Sequence, residues 1–226
     1  MCKCFWSLTS AQLLCTFAAW CGCVGGCEAA THAARRCLAD LPSGAFLVKL
    51  DFTNAFNSLS RTSILAAVSE HIPELYSYCH LAYSKSSNLK YGEFSLQSQS
   101  GLQQGDPLGP LLFCLPIQPI LSSLQSSLRI GYLDDLTLDG TASTVATDVQ
   151  TIIREAGKMG LALNFAKCEI INTHEVNLPS PLDSFTITSS CDAFLLGHLS
   201  RLIELSMLPL RCAVQSFHLA FLDWLL

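Results

Sequence analysis

Ile130-Gly131-Tyr132-Leu133-Asp134-Asp135-Leu136 decides the fold: two short apolar segments meet at an acidic doublet. Residues 128–138 read as two strands joined by a tight turn, because aspartate is favoured in turns and the flanks suit a buried sheet. Phe46-Leu47-Val48-Lys49-Leu50-Asp51 is a second such segment, an apolar run around one lysine that also ends on an aspartate. It predicts a buried strand through Phe52. Acidic groups beside apolar strands are costly unless a cation compensates them. For Asp134 and Asp135 alone, turn chemistry is a sufficient account. With Asp51 added from a neighbouring strand, a carboxylate cluster binding Mg²⁺ is the better one.

Working outward, the alanine-rich stretch from Cys27 to Leu38 predicts a helix with Glu28 at its start and Arg35 and Arg36 near its end, as the helix dipole prefers. Pro42, Ser43 and Gly44 break it. Ser60 is placed to cap a helix through Ser69, and Pro73 to open another through Tyr83. Residues 88–99 alternate around Tyr91-Gly92-Glu93 and predict a hairpin. A long apolar helix is expected from Pro107 toward Leu128, interrupted in pattern by Pro116 and Pro119. Val145, Val149, Ile152, Ile153, Ala156 and Met159 recur at helical spacing, Gly160 stops that helix, and Cys168 to Asn172 is a last strand. The order suits an α+β fold, a sheet with helices packed on one face.

The 226 residues are half hydrophobic and only 14% charged, against a usual figure of about 25%, which excludes a disordered chain. The net charge of −5 argues against a free-standing nucleic-acid binder. Of 12 cysteines, six (Cys2, Cys4, Cys15, Cys21, Cys23, Cys27) fall in the first 27 residues. That crowding is unlike a secreted disulfide scaffold, so free intracellular thiols are expected. A metal site from Cys21, Cys23, Cys27 and His32 lacks a second ligand pair at zinc-finger spacing. No charge lies between Lys3 and Glu28, so residues 4–26 leave open a membrane or signal segment. Ser7, Thr9, Ser10, Gln12 and Thr16 dilute its hydrophobicity.

The acidic segments belong to an ordered set. Asp51-Phe52-Thr53-Asn54-Ala55-Phe56-Asn57 resembles the first palm motif of reverse transcriptases. Gly101-Leu102-Gln103-Gln104-Gly105-Asp106-Pro107-Leu108-Gly109-Pro110-Leu111-Leu112-Phe113 is similar to the second, and Tyr132-Leu133-Asp134-Asp135 to the third. Gly160-Leu161-Ala162-Leu163-Asn164 with Lys167 resembles the fourth, and Leu195-Leu196-Gly197 a trace of the fifth. The wording is nearest to non-LTR retrotransposon polymerases, over roughly residues 26 to 198.

The resemblance implies an RNA-directed DNA polymerase that adds dNTPs to a primer 3′-hydroxyl on an RNA or DNA template with two Mg²⁺ ions. Asp51 and Asp134 would be the principal metal ligands, with Asp135 in support, and Lys167 the candidate proton donor to pyrophosphate. Phe52 and Phe56 would border the substrate, the Phe56 ring excluding a ribose 2′-hydroxyl. Gln104 and Gly105 would lie along the nascent base pair, and Tyr132 would flank the primer terminus. The implied fold is a palm-like antiparallel sheet over residues 26–175 with partial fingers and no thumb. Residues 1–25 would be a divergent cysteine-rich segment and 176–226 a divergent tail. No Lys/Arg pair upstream of Asp51 matches a triphosphate grip, which leaves a truncated copy, active or silent, as the expectation. The family implies an intracellular, nuclear setting, although no basic targeting cluster is present.

Overall fold

The computed structural model describes residues 16–18, 26–171, 173, 178–190, 193–195 and 200–201. Its spine is β2 (Ala45–Asp51), the predicted apolar strand, which pairs antiparallel with β6 (Asp135–Thr141) on one side and β7 (Glu169–Ile171) on the other. Beyond β6 lies β5 (Arg129–Tyr132), antiparallel to it, so residues 129–141 form the expected hairpin. β1 (Thr16–Ala18) adds a parallel strand beside β5, and β8 (Thr186–Thr188) a parallel strand beside β7. The six-stranded sheet therefore runs β1-β5-β6-β2-β7-β8. Residues 87–91 and 94–98 (β3 and β4) form a separate hairpin, and Phe194–Leu195 with Ser200–Arg201 (β9 and β10) another.

Alternation along β2 gives the sheet two different faces. Phe46, Val48 and Leu50 enter the main core with Leu136, Leu138 and Ile170. Helices cover that face: α3 (Arg61–His71) through Ile64 and Val68, α5 (Gly109–Ser123) through Leu112, Phe113 and Ile117, and α6 (Ala142–Lys158) through Val145, Val149 and Ile152. α4 (Pro73–Tyr83) packs beside α3 and contributes Cys79 and Tyr83. Each large apolar side chain buried here adds about 1.5–3 kcal/mol over an exposed one. The mixed α+β class and the one-sided helical layer after β2 are as the sequence implied.

α1 (Gly26–Ala39) lies on the opposite face, where Ala30 and Ala34 pack on Leu47, Ile130 and Ile171. The small residues that marked it as a helix also let it sit close against the sheet. It covers one end of that face, and the other end carries polar side chains. The stretch 4–26 is described only where β1 joins the sheet edge, and at the first residue of α1. No helix among the described residues is long and apolar enough to cross a membrane. Cys79 and Cys168 are buried free thiols, and Cys37 Sγ donates to Asp139 Oδ2 at 3.0 Å. The cysteines at 21 and 23, the side chain at 27 and residues 196–197 of the fifth motif lie outside the described residues.

Two expectations are corrected. The long helix ends at Ser123 rather than near Leu128, because Leu124 is extended and the buried Asp148 carboxylate accepts hydrogen bonds from the Gln125 and Ser126 amides at 2.9 and 2.7 Å. Those bonds divert the chain into β5. Ser60 occupies the N-cap position of α3 without a side-chain capping bond. α5 runs through both Pro116 and Pro119, one buried and one exposed.

Candidate active site

Strand register brings the acidic residues together. Asp51 is directly opposite Asp135 across β2 and β6, and Asp135 is opposite Tyr132 across β6 and β5. The three form one row on the face that bears Leu47, since paired residues share a face. The next row is Lys49 opposite Thr137, with Glu169 on the other side of Lys49. Asp134 stands at the tip, in the two-residue turn between Tyr132 and Asp135.

That turn is strained. Leu133 has φ of 56°, a left-handed conformation that costs a branched L-residue roughly 1–2 kcal/mol. A two-residue hairpin needs positive φ at its first turn position, where glycine or asparagine is usual. Here leucine holds that position and an aspartate follows it at the strand tip. Stored strain of this kind concentrates at functional sites.

A second layer of backbone bonds fixes the surroundings. The Asp51 carbonyl accepts from the Asn164 amide at 2.8 Å, and Thr53 N–H donates to Ala162 O at 2.8 Å, so residues 162–164 run alongside the end of β2. This brings Lys167 to 3.9 Å from Asp51 Oδ1, with the lysine two-thirds exposed. Lys49 lies 3.9 Å from Glu169. Burial raises the Asp135 carboxyl above its usual range; Asp134 and Asp51 add to the rise, and Lys49 and Lys167 oppose it. The site holds negative charge that these two lysines counter incompletely.

Two glycines set the short helix α2 (Ala55–Ser58) that follows the first motif. A Cβ on Gly101 would fall 2.4 Å from Phe56 O, and one on Gly160 would fall 2.8 Å from Ser58 O. Both have positive φ, 68° and 80°. Leu102 N–H donates to Phe56 O at 2.7 Å, and Ser60 N–H donates to Met159 O at 2.8 Å. The second and fourth motifs are thus clamped to the first through α2. Phe56 is half-buried and stacks on Phe113, centroids 4.6 Å apart and planes within 10°.

Asp51, Asp134, Asp135, Tyr132 and Lys167 come together at one end of the sheet. Gln104 and Gly105 are exposed on the loop before α5. Phe52 is not brought to the site: it follows Leu50 onto the core face, is 3% exposed and bridges to Leu163. Lys49 was missed by sequence reasoning because it reads as the lone charge in a buried run. The donor set is all oxygen, the kind a hard divalent cation takes. Among the described residues, no three His, Cys, Asp or Glu side chains stand close enough to share one ion.

A sheet whose central strands β5-β6-β2-β7 are antiparallel, with carboxylates at the ends of two adjacent strands and helices backing its other face, defines the palm class of polymerase folds. Residues 3–186 match the reverse transcriptase (RNA-dependent DNA polymerase) family, and the chain belongs to that family. Apo telomerase from Candida tropicalis is similar with a TM-score of 0.50 at 14% identity, covering 65% of this chain and 32% of that one. The same telomerase truncated from its C-terminal domain gives 0.51 at 15% identity, covering 66% and 35%. At such identity the likeness is one of fold. The chain spans about a third of the length of these structures. No curated protein sequence matches it.

Proposed function

We propose that the chain carries the catalytic palm of an RNA-directed DNA polymerase of the non-LTR retroelement kind, which adds dNTPs to a primer 3′-hydroxyl on a nucleic-acid template. The observation that carries this reading is the register of Asp51 opposite Asp135, with Asp134 held beside them in a strained turn. Asp51 and Asp134 would be the principal ligands for two Mg²⁺ ions, with Asp135 in support. The ions, when bound, activate the hydroxyl and stabilise the pyrophosphate leaving group.

The protein's own groups do the rest. Lys167, close to Asp51, is the candidate proton donor to pyrophosphate. Tyr132 shares a row with Asp135 and borders the primer terminus. Phe56, braced on Phe113, is a rigid wall against a ribose 2′-hydroxyl. Gly105 has φ of 88° and no atom within 4 Å of a Cβ position, which leaves its backbone open to a base pair beside Gln104.

A second reading, a nucleic-acid-binding palm without turnover, is favoured by the lack of three ready-placed ligands among the described residues. Primer extension on poly(A)/oligo(dT) with Mg²⁺ separates the two. The first predicts incorporation that Asp134→Asn lowers by a factor of about 10² or more, as removal of a transition-state stabiliser does. No incorporation by the unmodified chain, with template–primer still bound, supports the second.

A further inference from the structure

Gln104 and Gly105 lie on an exposed loop, yet the ends of that loop are held by a buried side-chain network. Arg61, the first residue of α3, is only 7% exposed. Its Nε donates to Gly101 O at 2.9 Å, where the loop begins. Its Nη1 donates to Lys85 O at 3.3 Å, just before β3, and to Ser98 O at 2.9 Å, at the end of β4, and Nη2 donates to Ser98 Oγ at 2.8 Å. The guanidinium also lies over the Tyr83 ring, 5.5 Å from its centroid. Tyr83, 1% exposed, donates its hydroxyl proton to Asp106 Oδ2 and accepts from the Gln103 amide at 3.4 Å. Asp106 Oδ1 accepts from the Leu108 amide at 2.8 Å, where α5 starts.

The network therefore reaches both margins of the loop, Gly101 and Gln103 before Gln104 and Asp106 after Gly105, and ties them to the base of the β3–β4 hairpin at Lys85 and Ser98. Among the described residues no carboxylate pairs with this guanidinium; burying it is costly, and the fork of carbonyl acceptors is what repays it, so its position is tightly defined. Moving the loop would break several of these bonds at once. We propose that Arg61, Tyr83 and Asp106 are positioning residues that fix the Gln104–Gly105 loop for the incoming nucleotide and so set nucleotide affinity rather than the rate of bond formation. The substrate half of this inference rests on the polymerase reading above. Contacts made equally before and during reaction appear in KM and leave kcat alone, and that is the role proposed for this loop.

Tyr83→Phe in the full chain is the test, since it keeps the ring under Arg61 and deletes only the hydroxyl. Amide hydrogen exchange over residues 101–108 is expected to rise about tenfold, the effect of a lost hydrogen bond, with α6 unchanged. In single-nucleotide incorporation, KM for dNTP should rise several-fold with kcat within about twofold. Asp106→Asn, which keeps one oxygen acceptor for the Leu108 amide but not the second for the Tyr83 hydroxyl, should recover only part of what Asp106→Ala loses. Unchanged loop exchange overturns the network. Faster exchange throughout the protein with an unchanged KM shows a merely structural contact and also overturns it. If the unmodified chain incorporates nothing, the polymerase reading and the substrate half fall together, and loop exchange still decides whether the network holds the loop.

Discussion

Burial pushes the Asp135 carboxyl up, with Asp134 and Asp51 reinforcing the shift, so the folded protein binds a proton there more readily than the unfolded chain. Stability must then fall as pH rises from the ordinary value of 3.8 through the raised folded value, and the penalty is complete at neutral pH. Asp135→Asn should accordingly raise the urea midpoint in EDTA at pH 7, with the gain shrinking as the pH approaches 3.8. An equal gain at all pH values would show that the effect is packing and not charge. At Gly101, substitution by alanine meets the Phe56 and Asn57 backbone at 2.4 Å as well as a positive φ. It should cost about 2–4 kcal/mol in urea unfolding, whereas Gly105→Ala, with open space around it, should cost only about 1 kcal/mol. At Phe56, alanine gives up the stack on Phe113, worth about 0.5–1.5 kcal/mol, and on the polymerase reading proposed above removes the wall against the ribose 2′-hydroxyl. The ratio of UTP to dTTP incorporation should rise, and an unchanged ratio would return Phe56 to a packing role.

The elements were legible where one physical signal dominated. α6 followed from its helical spacing, with Val145, Val149, Ile152 and Ala156 buried and Ile153 at the rim. β2 and the β5–β6 hairpin followed from apolar runs ending on aspartates. The pairing of Thr16–Ala18 with β5 was not legible, because three residues carry no period and parallel pairing is a long-range choice. Nor was the packing of α1 on the second face, since alanine-rich helices mark no preferred side. Arg61 carries no sequence signal of its own, and Tyr83 and Asp106 lie 23 residues apart, so only the fold reveals their bond. Phe52, expected at the substrate, faces the core because side chains alternate along a strand and Asp51 faces the other way. α5 tests the element scale directly. Pro119 lies in its interior and is exposed, so Pro119→Ala should stabilise the protein by about 1–2 kcal/mol, read as a higher urea midpoint.

Across the whole molecule, the uncovered surfaces divide by chemistry. The β3–β4 hairpin exposes Leu89, Phe94 and Leu96, each more than half accessible, on a two-stranded sheet of its own. Exposed apolar side chains grouped in this way promote association. Leu89→Lys with Phe94→Lys should lower light scattering at a given concentration and leave the unfolding midpoint unchanged. The net charge of −5, which by itself spoke against a nucleic-acid partner, is in part local: three of the acids stand at one end of the sheet, under the partial cover of Lys49 and Lys167. The central claim, proposed above, is that Asp51 and Asp134, supported by Asp135, take up divalent cations at this end of the sheet. Titration of the full chain with Mn²⁺, followed by the loss of the free-ion EPR signal, tests it most directly. The account predicts stoichiometric binding that Asp51→Asn and Asp134→Asn each abolish. Mn²⁺ that stays free, or binding that survives both substitutions, would contradict it.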